Sequence, residues 1–147
     1  MNEQQSVRRL AGSRDATRAI LLDPGALPEW NPAITGLTLP PVVGTSRERP
    51  TVGHRYPVTG VRGLRGHLSY TGIDEDRITM RISLNGLTED NWWTLVEADG
   101  DAPATLVGHG ISHRGPLALL LSAAFRGVCD LRLDRLAARL RTAGHPC

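Results

Sequence analysis

From Ile34 to Ser112 the chain runs in short stretches that alternate apolar and polar residues, and at Gly115-Pro116 the hydrophobic period changes once, from two to about 3.6. The clearest stretch is Arg77–Asn85, where Ile78, Met80, Ile82 and Leu84 fall on one face and Arg77, Thr79, Arg81, Ser83 and Asn85 on the other. A strand of this kind has one dry and one wet side, so something apolar must lie across the dry one. Similar runs at Ile34–Leu39, His54–Thr59, Leu64–Ile73, Asn91–Ala98 and Thr105–Ser112 are joined by turns such as Ile73-Asp74-Glu75-Asp76 and Ala98-Asp99-Gly100-Asp101. Connections this short predict an antiparallel meander.

The covering element follows directly. Pro116 suits the first position of a helix expected to reach about Thr142, where Gly144-His145-Pro146 ends it. Leu117, Leu120, Leu121, Ala124, Phe125, Val128, Cys129, Leu133, Leu136 and Leu140 form its apolar stripe, with Arg126, Asp130, Arg135 and Arg139 as polar surface. Before the meander, Gln5–Leu10 reads as a first strand. Ser13 then caps a short helix, Arg14–Leu22, stopped by Asp23-Pro24-Gly25, and a second helical turn covers Gly25–Glu29 before Pro32. The expected architecture is α+β: a curved antiparallel sheet of six to seven strands gripping one long C-terminal helix, with two short helices after the first strand and an internal cavity. No repeat or linker divides the sequence, so residues 1–147 are expected to form one domain.

All 17 basic side chains are arginine, against 15 acidic residues, for a formal net charge of +2. With no lysine, a Schiff base, a phosphate-loop lysine and a Ser-x-x-Lys acylase are excluded. The arginines are spread from Arg8 to Arg141, which gives nucleic-acid binding little support. The longest apolar stretch, Pro116–Phe125, is about half of the roughly 20 residues needed to span a bilayer. Met1–Leu10 holds no apolar signal region, and Cys129 and Cys147 make no disulfide framework, so a cytoplasmic protein without membrane insertion is expected.

Three local sequences carry a resemblance. Asp23-Pro24-Gly25-Ala26-Leu27-Pro28-Glu29-Trp30-Asn31-Pro32, Val52-Gly53-His54-Arg55-Tyr56 and Gly115-Pro116-Leu117 occur in the order found in the START-like, helix-grip superfamily. The chain resembles the small bacterial polyketide cyclase/dehydrase and lipid-transport members of that group (SRPBCC) over roughly Ser6 to Leu140. Arg18 stands where members commonly carry an aromatic in the first helix, and Ala104-Thr105-Leu106 replaces the usual Gly-Thr-Arg opening of the last strand. The resemblance implies a ligand cavity and no particular reaction.

Alternation in Thr105–His113 groups Val107, His109, Ile111 and His113 on one face. If that face is concave, His109 can take a proton beside a carbonyl, its ordinary pKa being about 6.5. The alternative is a histidine hydrogen-bonded into the wall. His113 lies at the strand end beside Arg114, and two histidines lack the third ligand of a zinc site, so no metal is expected. Tyr70 shares a face with Leu64, Gly66 and Leu68, where its phenol could polarise a carbonyl or simply fill core. Of the adjacent Trp92 and Trp93, Trp93 is the better cavity candidate because it aligns with Leu95. Trp30 and Asn31 are expected at one end of the barrel, with Tyr56, Met80, Ile82, Val107, Leu121 and Phe125 completing the ligand-contacting set. Cys129 reads as a buried small residue and Arg81 as convex surface.

Two main functional readings remain open. One is a cofactor-independent cyclase or dehydratase acting on a polyketide-like or other hydrophobic carbonyl substrate, with His109 as base and Tyr70 polarising the oxygen. The other is a binding or transfer protein for a lipid or hydrophobic metabolite. A protein-interaction module is a third option, and a homodimer is compatible with each.

Overall fold

The structure is a computed structural model that describes residues 2–40 and 49–143. The predicted stop at Gly144–Pro146, and Cys147, lie outside the described residues. The strands are β1 (Asn2–Ala11), β2 (Ile34–Leu37), β3 (Tyr56–Gly60), β4 (Arg65–Ile73), β5 (Arg77–Leu84), β6 (Leu87–Ala98) and β7 (Ala104–Arg114). They form one seven-stranded sheet in the order β1-β7-β6-β5-β4-β3-β2, antiparallel throughout. The meander therefore holds as read, and the N-terminal strand closes onto the last one. Between β1 and β2 lie α1 (Arg14–Leu21), a 3-10 turn at Pro24–Ala26 and α2 (Leu27–Trp30). Ser13 caps α1 as its sequence position implies, its hydroxyl accepting from the Ala16 amide at 3.0 Å.

Two departures from the sequence reading matter for the interior. The single helix expected from Pro116 to Thr142 is two: α3 (Pro116–Leu120) and α4 (Val128–Ala143). Residues 121–127 form tight turns, with Ala124 N–H on Leu121 O at 3.0 Å and Val128 N–H on Phe125 O at 3.2 Å. Gly127 sits at φ +75, a left-handed conformation that interrupts the helix and that glycine adopts without a Cβ clash. The break turns Ala118, Leu121 and Phe125 onto Leu87 and Ile111 at one end of the sheet, while Leu133, Leu136 and Leu140 of α4 lie along it. Leu120, expected in the stripe, is left 80% exposed.

The second departure is the start of β6, four residues before the expected Asn91. Asn85-Gly86 makes a two-residue hairpin between Leu84 and Leu87, with Gly86 at φ +84. Leu87, Glu89, Asn91, Trp93 and Leu95 consequently share the buried face of β6. Trp92 lies on the other face, its indole resting where Gly110 of β7 has no side chain; a Cβ there would come within 2.1 Å of the ring. Arg81 is on the convex side as predicted, its Nε donating to Asp90 at 2.7 Å.

Candidate functional site

Among the described residues, two clusters of buried apolar side chains stand out. One joins Trp30, Tyr56, Tyr70, Met80, Ile82, Trp93 and Val107 to Leu133, Leu136 and Leu140. The other joins Leu87, Ile111, Leu121, Phe125, Val128 and Cys129. On three elements the residues between these clusters are polar: Glu89 and Asn91 on β6, His109 on β7, and Arg132 on α4. His113, two residues beyond Ile111 on the same face of β7, joins them. All five are at most 3% exposed.

Glu89 is the centre of this polar layer. Its Oε1 accepts from His113 Nε2 at 2.9 Å and Arg132 Nη2 at 2.8 Å, and its Oε2 accepts from Arg132 Nη1 at 2.9 Å and Asn91 Nδ2 at 2.8 Å. These four bonds use the full acceptor capacity of a carboxylate. Burial would raise the carboxyl pKa, but the Arg132 charge and the bonds from His113 and Arg132 outweigh it and hold Glu89 well below the usual carboxylate range.

Arg132 Nη1 also reaches His109 Nε2 at 3.3 Å, and His109 Nδ1 lies 3.1 Å from the Trp92 carbonyl. A guanidinium only donates and a carbonyl only accepts, so the His109 proton is on Nδ1 and its lone pair on Nε2 faces Arg132. Burial, reinforced by the Arg132 charge, lowers the imidazole from 6.5 to about 3 despite the opposing influence of Trp92 O and Glu89. Trp93 stacks on the same ring at 3.6 Å between centroids, and Trp30 meets Trp93 edge-on at 5.6 Å. His113 packs against Phe125 at 4.1 Å.

Tyr70 belongs to the first apolar cluster, and its hydroxyl donates to Leu21 O at 2.6 Å. Burial, then the nearby Tyr56 and Asp23, raise its pKa far above the ordinary value, so it remains a protonated donor. Asn31 Oδ1 accepts from Ala33 N–H at 3.0 Å, an Asx turn that secures the entry into β2. Tyr56 is buried in the wall with His54 edge-on at 4.5 Å. The structure thus gathers Trp30, Tyr56, Tyr70, Met80, Ile82, Trp93 and Val107 in one cluster, puts Leu121 and Phe125 in the other, and holds His109 between them. Cys129 is buried, as expected, and burial raises its thiol to about 11.

Glu89, Asn91 and Arg132 are absent from the sequence-derived candidates, although each has a sequence signal. Arg132 stands three residues after Cys129 and four after Val128, inside the apolar stripe. Glu89 and Asn91 alternate with Leu87, Trp93 and Leu95 once Asn85-Gly86 is read as the hairpin turn. Among the described residues, four buried polar atoms have no hydrogen-bond partner: Trp30 Nε1, Trp93 Nε1, Asn91 Oδ1 and Arg132 Nε. A separate cleft of about 540 Å³ runs between residues 3–6 of β1 and residues 122–130.

No family model matches the sequence, and no curated protein sequence matches it. Solved structures do. XoxI from Bacillus cereus superposes with a TM-score of 0.68 at 13% identity, over 99% of this chain and 100% of that one. A START superfamily protein from Mycobacterium smegmatis gives 0.65 at 15% identity, over 96% and 98%. DynU16, a protein of the dynemicin biosynthetic locus, gives 0.63 at 18% identity over 97% of this chain, which spans only 48% of DynU16. No helix among the described residues is long and apolar enough to cross a membrane. With its seven antiparallel strands, short helices after β1 and C-terminal helix laid across the sheet, this chain has the START-like, helix-grip fold.

Proposed function

We propose that this protein binds a hydrophobic small molecule carrying at least one polar oxygen, held between the sheet and α4 against the Trp30–Trp93 wall. The observation that carries this reading is the distribution of unused hydrogen-bonding capacity. The acid–base candidates are committed: the Tyr70 hydroxyl to Leu21 O, and the His109 lone pair to Arg132. The partnerless buried atoms are instead the two indole N–H groups, Arg132 Nε and Asn91 Oδ1. Buried polar atoms without partners are uncommon; an oxygen-bearing ligand would accept from the three N–H donors, and a hydroxyl on it would donate to Asn91 Oδ1.

Native mass spectrometry of the protein purified from its own host tests this reading, together with calorimetric titration by long-chain carboxylic acids and planar aromatic polyketides. One ligand per chain is expected, bound about tenfold more weakly after Trp93→Phe, which removes an indole N–H worth roughly 1.4 kcal/mol. An empty protein that takes up none of these probes would reject the reading.

The second reading is a cofactor-independent cyclase or dehydratase acting on a hydrophobic carbonyl substrate. Its support is the likeness to a protein of a biosynthetic locus. In this reading His109 is the base and Tyr70 polarises the oxygen, and each must first exchange its internal bond for one to substrate. Single-turnover rates that drop at least a hundredfold in His109→Gln, with ligand affinity retained, would favour it.

A further inference from the structure

β1 is an edge strand of the sheet. Its ten residues pair with β7 in unbroken register, from Asn2 opposite His113 to Ala11 opposite Ala104. On the side away from β7, no described backbone group bonds its main chain. The opposite edge of the sheet, β2, is four residues long with a register shift between Ile34 and Gly36, too short and irregular to template another strand. The 540 Å³ cleft is lined by Glu3, Gln4, Gln5 and Ser6 together. Across the cleft stand Arg126 and Asp130, on the helix-facing side of β1, where Gln4 Nε2 donates to Phe125 O.

We propose that this edge is a dimer interface, at which β1 pairs antiparallel with β1 of a second copy. The charge pattern selects a second copy as the occupant. Leu10 is buried and Arg8 reaches Asp130 and Asp134 of α4, so the even-numbered side chains face the helix. Glu3, Gln5, Val7 and Arg9 are on the exposed face, Arg9 Nη2 donating to Asp99 O at 3.0 Å, a bond that leaves its other guanidinium donors for a carboxylate. A two-fold axis normal to the sheet keeps outer faces outward, so paired residue numbers must sum to an even value. Centring the pair on Gln5 sets Glu3 opposite Val7, and centring it on Val7 sets Gln5 opposite Arg9; neither couples opposite charges. Centring on Ser6 sets Glu3 opposite Arg9 of the second copy and Arg9 opposite its Glu3, two cross-strand ion pairs in one register. The same register brings the two Val7 side chains, each 66% exposed in the single chain, into diagonal contact. A strand-edge contact of this length is small, so the dimer is concentration dependent.

Sedimentation equilibrium of the wild type, E3R, R9E, the double variant E3R/R9E and an equimolar mixture of the two single variants tests the interface. The wild type is expected to dimerise between micromolar and millimolar concentrations. Each single substitution places like charges opposite one another at both ends and weakens the dimer on the order of tenfold. The double variant and the mixture recover it, because each restores opposite charges across the two-fold. Recovery in the mixture also shows that both single variants are folded. A wild type that stays monomeric to millimolar concentration overturns the proposal, whether or not the edge takes up some other extended peptide. So does a dimer that is indifferent to either charge reversal, or a mixture that fails to recover.

Discussion

Arg132 of α4 and Glu89 of β6 meet end to end inside the protein, with Nη2 to Oε1 at 2.8 Å and Nη1 to Oε2 at 2.9 Å, and neither side chain is more than 4% exposed. The pair ties the C-terminal helix to the sheet across a layer that is polar by design of its neighbours. Taking both charges from water is costly, and the geometry compensates by giving Glu89 two further donors, from Asn91 and His113.

Removing one member of this pair strands the other. Arg132→Met is expected to destabilise the fold by about 3–5 kcal/mol, and Glu89→Gln by a similar amount. A double replacement, Arg132→Met with Glu89→Leu, exchanges the pair for apolar volume and should recover most of the loss. Urea denaturation of the set measures the coupling, and purely additive losses would contradict a buried pair.

Stability should fall on mild acidification. The His109 imidazole is lowered from 6.5 to about 3 in the folded chain, so between those values the unfolded chain binds the additional proton. Stability then declines as pH drops, by at most about 1.4 kcal/mol per pH unit for one group. Glu89 acts in the same direction at lower pH, because its depressed carboxyl contributes stability that is present above the ordinary carboxylate value and lost as pH falls toward its folded value. His109→Gln removes the first window, so its decline should begin only in the carboxylate range. Identical pH profiles of denaturation midpoint for wild type and variant would refute this assignment.

Tyr70→Phe keeps the ring in the core and deletes the bond to Leu21 O. The expected cost is about 1–2 kcal/mol, read from thermal or urea midpoints, with the fold retained. An unchanged midpoint would mean that the hydroxyl does not rivet α1 to the sheet.

Gly127→Ala tests the break between α3 and α4. Nothing lies within 4 Å of the added Cβ, so the substitution meets only the strain of φ +75. A loss of about 1 kcal/mol is expected, with a smaller one for Asn, which tolerates this region better than Ala. A stabilised Gly127→Ala, with circular dichroism showing added helix, would mean that the continuous helix of the sequence reading is within reach.

The periodicities account for why so much of the fold could be read in advance. Alternation in Arg77–Leu84 needs only local geometry to declare a half-buried strand, and the Ser13 cap and the Gly115-Pro116 helix start are contacts within a few residues. The site was harder to read because two of its members look like surface residues. Arg132 differs from Arg135 and Arg139 only in which side of the helix it occupies, and the helix break at Gly127 rests on a backbone angle that composition does not specify. His109 was visible as sharing a strand face with Val107 and Ile111, but its partner, and hence the nitrogen that carries its proton, comes from an element 23 residues away.

By itself the sequence determined the order of elements, the antiparallel meander, the apolar face of β5 and the absence of lysine chemistry, all set by near-neighbour sterics and periodicity. Only the tertiary structure decided which polar groups are buried together. Glu89, His109, His113 and Arg132 become one network because β6, β7 and α4 converge on a buried layer, where an unpaired charge is too costly to persist and each group must find its complement in the others.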